Sequence, residues 1–247
     1  MPEQDGWEPV RRQRTYEQVI ARIEDQILDG RLRVGDRLPA EREFAHLLGV
    51  SRPSLRESLR VLEALGIVEV RLGGEGGTFL SSKVSSGFVN VMKLQHALAY
   101  FSSDNIVEAR LALEEWSCGE AARRRQSEDL ADLSAILDDM ERPEIAVAEF
   151  NRLDTAFHIR IASATNNSLV AQLMDSLRLL IQRSMVERYS HLPDWRQTAK
   201  TVQHEHRDIL AAINSQDRGR AASLVRDHIE SFWFAADHPS RTDTAPS

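Results

Sequence analysis

The chain has 247 residues and a formal net charge of −7, so it can form one large domain or two modest ones. It has no apolar run near the ~20 residues needed to cross a bilayer, and its first residues lack the apolar stretch of a signal peptide. The single cysteine, Cys118, is typical of a reducing compartment. We therefore expect a cytoplasmic protein with no membrane partner. The charge excludes a nonspecific polycation, but not groove recognition by a few placed arginines.

Residues 10–80 predict a small N-terminal domain in which Gly and Pro separate short elements. Three helices and then two strands are predicted, over about 15–28, 41–48, 52–65, 67–70 and 77–80. Thr15 can cap the first helix and Ser51 the third. Three helices followed by a hairpin predict a winged helix-turn-helix, whose third helix enters the DNA major groove.

The third predicted helix carries a leucine stripe and, about a third of a turn away, an arginine stripe. Arg52, Arg56 and Arg60 recur every four residues. The planar fork of arginine can take two hydrogen bonds from a guanine edge or clamp a phosphate. A solvated arginine face is the alternative, but the short helix before it and the glycine-rich hairpin after it favour DNA.

The second half predicts an all-helical bundle of six or seven helices over residues 88–236, after a linker at 81–87 and before a flexible tail at 237–247. Its helices are predicted at about 87–101, 104–124, 128–140, 143–164, 168–189, 194–214 and 217–235. The predicted fold class is therefore mainly α, with a winged helix-turn-helix followed by a helical bundle.

Four polar side chains lie on apolar stripes of three of these helices: Asp154, His158, His206 and His228. Leaving such groups unpaired in a core costs roughly 1–3 kcal/mol each. One divalent transition metal per chain would satisfy all four, with Zn²⁺ expected and Ni²⁺ or Mn²⁺ as alternatives. Ordinary buried histidines, each satisfied by a neighbour, remain the other interpretation. A coordination position left open on the metal could bind the carboxylate of a ligand, or it could serve as a hydrolytic site.

The segment "GDRLPAEREFAHLLGVSRPSLRESLRVLEALGIVEVRLGGEGGTFL" resembles the N-terminal domain of the GntR family of bacterial transcription regulators. The resemblance implies that three arginines contact bases or phosphates, that two serines bind phosphates, and that the wing reaches the minor groove. The implied DNA-contacting residues are Arg42, Arg52, Arg56, Ser51, Ser54, Arg71 and Gly73. The extra glycines of "GGEGG" lengthen this wing relative to shorter members.

The segments "RLALEEWSCGEAARR", "NRLDTAFHIRIASATNNSLV" and "HEHRDILAAINSQDRGRAASLVRDHI" resemble FCD, the ligand-binding domain of the FadR subfamily. Its metal-binding branch carries one Asp and three His, which correspond here to Asp154, His158, His206 and His228. The resemblance also implies that Arg110 pairs with a ligand carboxylate. A helix-surface salt bridge is the alternative role for Arg110.

These observations predict a transcription regulator that is not an enzyme. We expect a homodimeric repressor that binds a palindromic operator and is released by a small carboxylic acid bound at the metal. A regulator with a purely structural metal site is the main alternative. A metal-dependent hydrolase is disfavoured because no HExxH motif is present, and an acyl-CoA sensor because inward His and Asp are hostile to an acyl chain.

Overall fold

The structure is a computed structural model that describes residues 14–74, 76–81, 86–192 and 194–235. Its residue contacts divide the chain into two compact units, with the division between Asn90 and Val91. The described elements are α1 (Thr15–Leu28), α2 (Glu41–Leu48), α3 (Arg52–Ala64), β1 (Val68–Arg71), β2 (Gly77–Leu80), α4 (Ser86–Ala97), α5 (Ser103–Arg124), α6 (Ser127–Met140), α7 (Val147–Ser163), α8 (Ser168–His191), α9 (Trp195–Asn214) and α10 (Arg218–Ala235).

In the first unit, helices α1, α2 and α3 share one core with the strands. Ile23 of α1, Phe44 of α2 and Leu55 of α3 are buried in it. The leucine stripe predicted for α3 faces this core, as Leu59 and Leu62 are also buried. The opposite face of α3 is thereby left for solvent or for a ligand.

The two strands form an antiparallel hairpin whose register pairs Val68 with Leu80 and Arg71 with Gly77. Gly77 has a φ of +153°, and a Cβ there would lie 2.9 Å from the Nε of Arg37. The positive φ favours glycine at this point of the wing, where the chain passes the end of the Arg37 side chain.

In the second unit, helices α5 to α10 bury a continuous apolar cluster. Phe150 and Phe157 of α7, Ile209 of α9 and Val225 of α10 each have 0 % of their surface exposed. The cluster contains aliphatic, aromatic and small residues from six helices, so it encloses any polar group on those inner faces. This is the environment into which the four polar side chains project.

The predicted fold class is confirmed, with ten helices and one hairpin in the described part of the chain. Several helix starts differ from the prediction. Whereas α8 begins at Ser168 as predicted, with Asn167 as a cap that accepts the N–H groups of Leu169 and Val170, α7 begins at Val147 rather than near residue 143. Pro143 lies in the turn before it, where its ring sets φ.

The predicted linker at 81–87 and tail at 237–247 fall largely outside the described residues, as do residues 10–13. Ser86 and Gly87, placed in the predicted linker, belong to α4. None of the described helices is both long and apolar enough to cross a membrane.

Candidate nucleic-acid interface and metal centre

One exposed face of α3 carries most of the residues predicted to contact DNA. Ser51 is the N-cap, and its Oγ accepts the N–H of Ser54 at 3.2 Å and lies 2.9 Å from the Ser54 Oγ. Arg52, Arg56 and Arg60 are all exposed. A helix held by a buried leucine stripe with its arginines in solvent can enter a major groove N-terminus first.

The first turn of α2 lies beside this face. Arg42 is exposed there. Its neighbour Glu41 accepts the Nε–H of Arg56 at 2.7 Å, and the same carboxylate oxygen lies 3.8 Å from the Nη2 of Arg52. Glu41 and Arg56 are on different helices, so their pairing carries no sequence signal.

The hairpin holds the two predicted wing residues. Arg71 donates through Nε to Glu69 at 2.7 Å, and its guanidinium lies 4.3 Å from the centre of the Phe79 ring. Gly73 is exposed, with a φ of +111°. Arg37 donates to the carbonyl oxygen of Gly76 at 2.6 Å. Arg37 therefore holds the base of the wing, a role that its sequence position did not suggest.

In the second unit, the four predicted metal-binding residues come together. Asp154, His158, His206 and His228 are buried, and one ligand atom from each lies within 4.8 Å of the others. We call these four residues the inner cluster. Asp154 and His158 are four residues apart on α7, whereas His206 is on α9 and His228 on α10. Only the packing of three helices joins them.

The distances show which atoms converge. The Nε2 of His206 lies 3.3 Å from the Nε2 of His228 and 3.4 Å from Oδ1 of Asp154. The Nε2 of His158 lies 3.9 Å from that same oxygen and has no hydrogen-bond partner among the described residues. Three imidazole nitrogens and one carboxylate oxygen are a donor set that divalent transition metals prefer.

Two glutamates contact histidines of the inner cluster through Nδ1, the ring nitrogen that does not face the other donor atoms. The Nδ1 of His158 lies 2.5 Å from Oε2 of Glu114, and the Nδ1 of His228 lies 2.7 Å from Oε2 of Glu205. A carboxylate at Nδ1 favours the tautomer that carries its proton there, which leaves the Nε2 lone pair free for a metal. Sequence reasoning missed both glutamates, because each belongs to a different helix from its histidine.

A buried arginine completes this support. Arg178 donates to Oδ2 of Asp154 at 3.0 Å and to Oε2 of Glu114 at 3.1 Å. It lies in the otherwise mostly apolar run "SLRLLIQ", which was a sequence signal for an inward charge. Arg178 occupies the outer oxygen of Asp154 and leaves Oδ1 facing the histidines.

Arg110 is also buried, so it is not a surface residue. Its Nε donates to Oε1 of Glu114 at 2.9 Å. Arg178 and His158 contact the other oxygen of the same carboxylate, Oε2. The structure therefore connects Arg110 to the inner cluster through one shared glutamate.

The electrostatics of the centre favour neutral imidazoles. Burial, reinforced by Arg178, lowers the pKa of His158 to about 4 despite its contact with Glu114. Burial and the neighbouring histidines hold the pKa of His206 well below its ordinary value. Burial alone would raise the pKa of Glu114, but Arg178 and His158 hold it well below its usual range. Neutral imidazole and ionised carboxylate are the protonation states that bind a metal.

Comparisons with known proteins agree with both halves of this architecture. Residues 15–79 match the family "Bacterial regulatory proteins, gntR family", and residues 105–231 match the "FCD domain". The chain is 34 % identical over 221 residues to the "Uncharacterized HTH-type transcriptional regulator YcbG" of Bacillus subtilis strain 168, which covers 90 % of this chain and 89 % of that protein. It is 30 % identical over 220 residues to the "Glc operon transcriptional activator" of Escherichia coli K12, covering 86 % and 85 % of the two chains.

A solved structure, "Streptococcus agalactiae GntR", has a TM-score of 0.62 and 26 % sequence identity, and the match covers 87 % of this chain and 98 % of that one. The combination of a winged helix-turn-helix with an FCD domain defines a bacterial transcription regulator. The chain belongs to the GntR family, with an FCD ligand-binding domain. The prediction of a regulator rather than an enzyme is confirmed by both families and by these relatives.

Proposed function

We propose that this protein is a dimeric repressor that binds a palindromic operator and dissociates from it when a small organic acid binds. The acid binds in the helical bundle beside a divalent metal ion, which is Zn²⁺ or, as alternatives, Ni²⁺ or Mn²⁺. The observation that carries the proposal is the convergence of three imidazole Nε2 atoms and one carboxylate oxygen in a buried centre.

The metal assignment is supported by the chemistry of the inner cluster. Asp154, His158, His206 and His228 would hold the ion, and the unpartnered Nε2 of His158 is the kind of buried atom that a metal satisfies. The bound ion supplies a Lewis-acidic position that a carboxylate can occupy. The supporting groups Glu114, Glu205 and Arg178 keep the four donor atoms aimed at one point.

The buried charges support an anionic effector. Arg110 and Arg178 are balanced by Glu114 and Asp154, and all four side chains are at most 4 % exposed. Glu205, beside His228, adds one more negative charge at the edge of the centre. With neutral histidines the centre therefore has one excess negative charge, and a divalent cation leaves it with one excess positive charge. An excess positive charge in a core is costly unless it is paired, so the metal-loaded centre favours a carboxylate.

Two considerations support the proposed dimer: the symmetry of palindromic operators and the exposed apolar residues of α4. A protein with one winged helix-turn-helix per chain matches the two halves of a palindromic site when two chains are related by two-fold symmetry. Helix α4 exposes Phe88, Val91 and Leu94 at a spacing of three residues, with 47 %, 47 % and 65 % of their surfaces accessible. Large apolar residues exposed on one helix favour association with a partner.

The test uses the metal-loaded full-length chain and a DNA duplex that the protein itself selects from a random-sequence pool. Fluorescence anisotropy measures DNA affinity while small mono- and dicarboxylic acids are titrated. A coupling of about 1–3 kcal/mol, typical of allostery, would weaken DNA binding roughly 5- to 150-fold. Chelator-treated protein should not respond to the acid.

Three results would contradict parts of the proposal. An acid that tightens DNA binding would make the protein an acid-dependent binder rather than a released repressor. Stoichiometric metal with no response to any acid would support a purely structural metal site. A monomer on the selected duplex, measured by ultracentrifugation, would refute the dimer.

A further inference from the structure

Glu41 connects two arginines of the proposed DNA-reading face. Its Oε2 accepts the Nε–H of Arg56 at 2.7 Å and lies 3.8 Å from the Nη2 of Arg52. Glu41 is the first residue of α2, whereas both arginines are in α3. The side chains of Glu41, Arg52 and Arg56 are 38 %, 56 % and 53 % exposed. The contact therefore lies on the surface that would meet DNA.

The ion pair orients Arg56 and leaves most of its hydrogen-bond donors available. A guanidinium has five N–H donors in a rigid plane, and Glu41 takes the one on Nε. The donors on the two Nη atoms remain for a bidentate contact with a guanine edge. Because the carboxylate fixes the plane in advance, less side-chain entropy is lost when Arg56 meets a base.

The same carboxylate acts differently on a phosphate and on a base. A phosphate carries a negative charge, so it is repelled by Glu41 when it approaches Arg56 from that side. The acceptors on guanine are uncharged, so they meet no comparable repulsion. Phosphate contacts dominate nonspecific binding, whereas base contacts carry the sequence information.

We propose that Glu41 is a positioning residue that raises the ratio of operator binding to nonspecific DNA binding, acting through Arg56. The inference rests on the proposed DNA-reading role of Arg52 and Arg56. Exposed ion pairs contribute little to folding stability, so Glu41 affects DNA selectivity and leaves the melting temperature near that of the wild type.

The experiment compares Glu41→Gln with Glu43→Gln. Glu43 is in the same first turn of α2 and is exposed, so its substitution removes the same charge from the same helix end. The probes are the duplex selected by the wild-type protein and a scrambled duplex of equal length and composition. Glu41→Gln should bind the scrambled duplex more tightly and lower the affinity ratio by up to about tenfold, the range expected when one long side chain must be ordered on binding. Glu43→Gln should change both affinities by a similar factor.

A double-mutant cycle tests the route of the effect. In an Arg56→Ala background the Glu41→Gln substitution should no longer change the ratio, because the partner through which it acts is gone. A ratio that still falls would mean that Glu41 contacts DNA directly, and this would overturn the proposal. An unchanged ratio in the single Glu41→Gln variant would also overturn it.

A second variant guards against loss of the fold. Glu41→Asp keeps the charge but withdraws the carboxylate from Arg56 by one methylene, so the ratio should fall while the protein melts as the wild type does. A wild-type ratio in Glu41→Asp would refute the positioning role. If the wild-type protein selects no common sequence, the proposed function itself fails and the role of Glu41 fails with it.

Discussion

Replacing His206 by alanine should remove most of the metal from the purified protein. His206 has 0 % of its side chain exposed, and its Nε2 lies within 3.4 Å of both Oδ1 of Asp154 and Nε2 of His228. Structural four-ligand Zn²⁺ sites bind with about 10–16 kcal/mol, so one ligand of four carries roughly 3 kcal/mol. That loss weakens binding by about two orders of magnitude.

His204 provides the matched control. It is two residues away on the same helix, and its side chain is 81 % exposed, 3.5 Å from Asp208. Residues two apart on a helix point about 200° apart, so His204→Ala removes a histidine without touching the inner cluster. Its metal content should equal that of the wild type.

The assay is elemental analysis of the desalted proteins, followed by thermal denaturation with and without added Zn²⁺. We expect about one transition metal per chain in the wild type and in His204→Ala, and little in His206→Ala. A metal present at about 100 times its Kd stabilises the native state by about 2.7 kcal/mol over the metal-free state, so Zn²⁺ should raise the melting temperature of chelator-treated wild type by roughly 5–10 °C. Equal metal in both variants, or none in the wild type, would refute the site.

Three further predictions concern other parts of the chain. Arg52→Ala or Arg56→Ala should each cost about 1–3 kcal/mol of specific DNA binding and leave the fold intact, whereas Arg14→Ala should have a much smaller effect. Unchanged DNA footprints for both α3 variants would contradict the DNA-binding role of this helix. A fragment of residues 82–247 should fold and bind the same acid as the full chain, and calorimetry that detects binding only in the full chain would show that the boundary is wrong. Burial raises the pKa of the Cys118 thiol well above its usual value, so a thiol reagent at pH 8 should label it only after denaturation; rapid labelling of the native protein would contradict its burial.

The raised pKa of Cys118 also predicts the direction in which folding stability changes with pH. A thiol whose pKa is raised in the folded state stabilises that state fully below the unfolded pKa of about 8.5, and this contribution is lost as the pH rises above it. Unfolding measured between pH 7 and 10 should therefore show a stability decrease that Cys118→Ala lacks.

The order of residues alone determined the class of fold and much of the inner cluster. Helical periodicity, Gly and Pro punctuation and the leucine stripe of α3 are local signals, and they predicted the winged helix-turn-helix and the bundle. Asp154 and His158 share one helix, so their common side followed from spacing. His206 and His228 were inferred because each interrupts an apolar stripe. Local patterns were weaker for helix starts, and α7 begins at Val147 rather than near residue 143 because the turn that contains Pro143 precedes it.

Only the tertiary structure decided which groups meet. Glu114 and Arg178 are on α5 and α8, and each reaches the inner cluster because those helices pack against α7. Glu41 reaches Arg56 across fifteen residues and a helix boundary. A helix pattern specifies the direction of a side chain around its own axis, but not which neighbour the fold brings opposite. The supporting carboxylates, the buried arginine and the ion pair on the DNA-reading face are therefore products of packing, because their partners are distant in the chain and adjacent only in space.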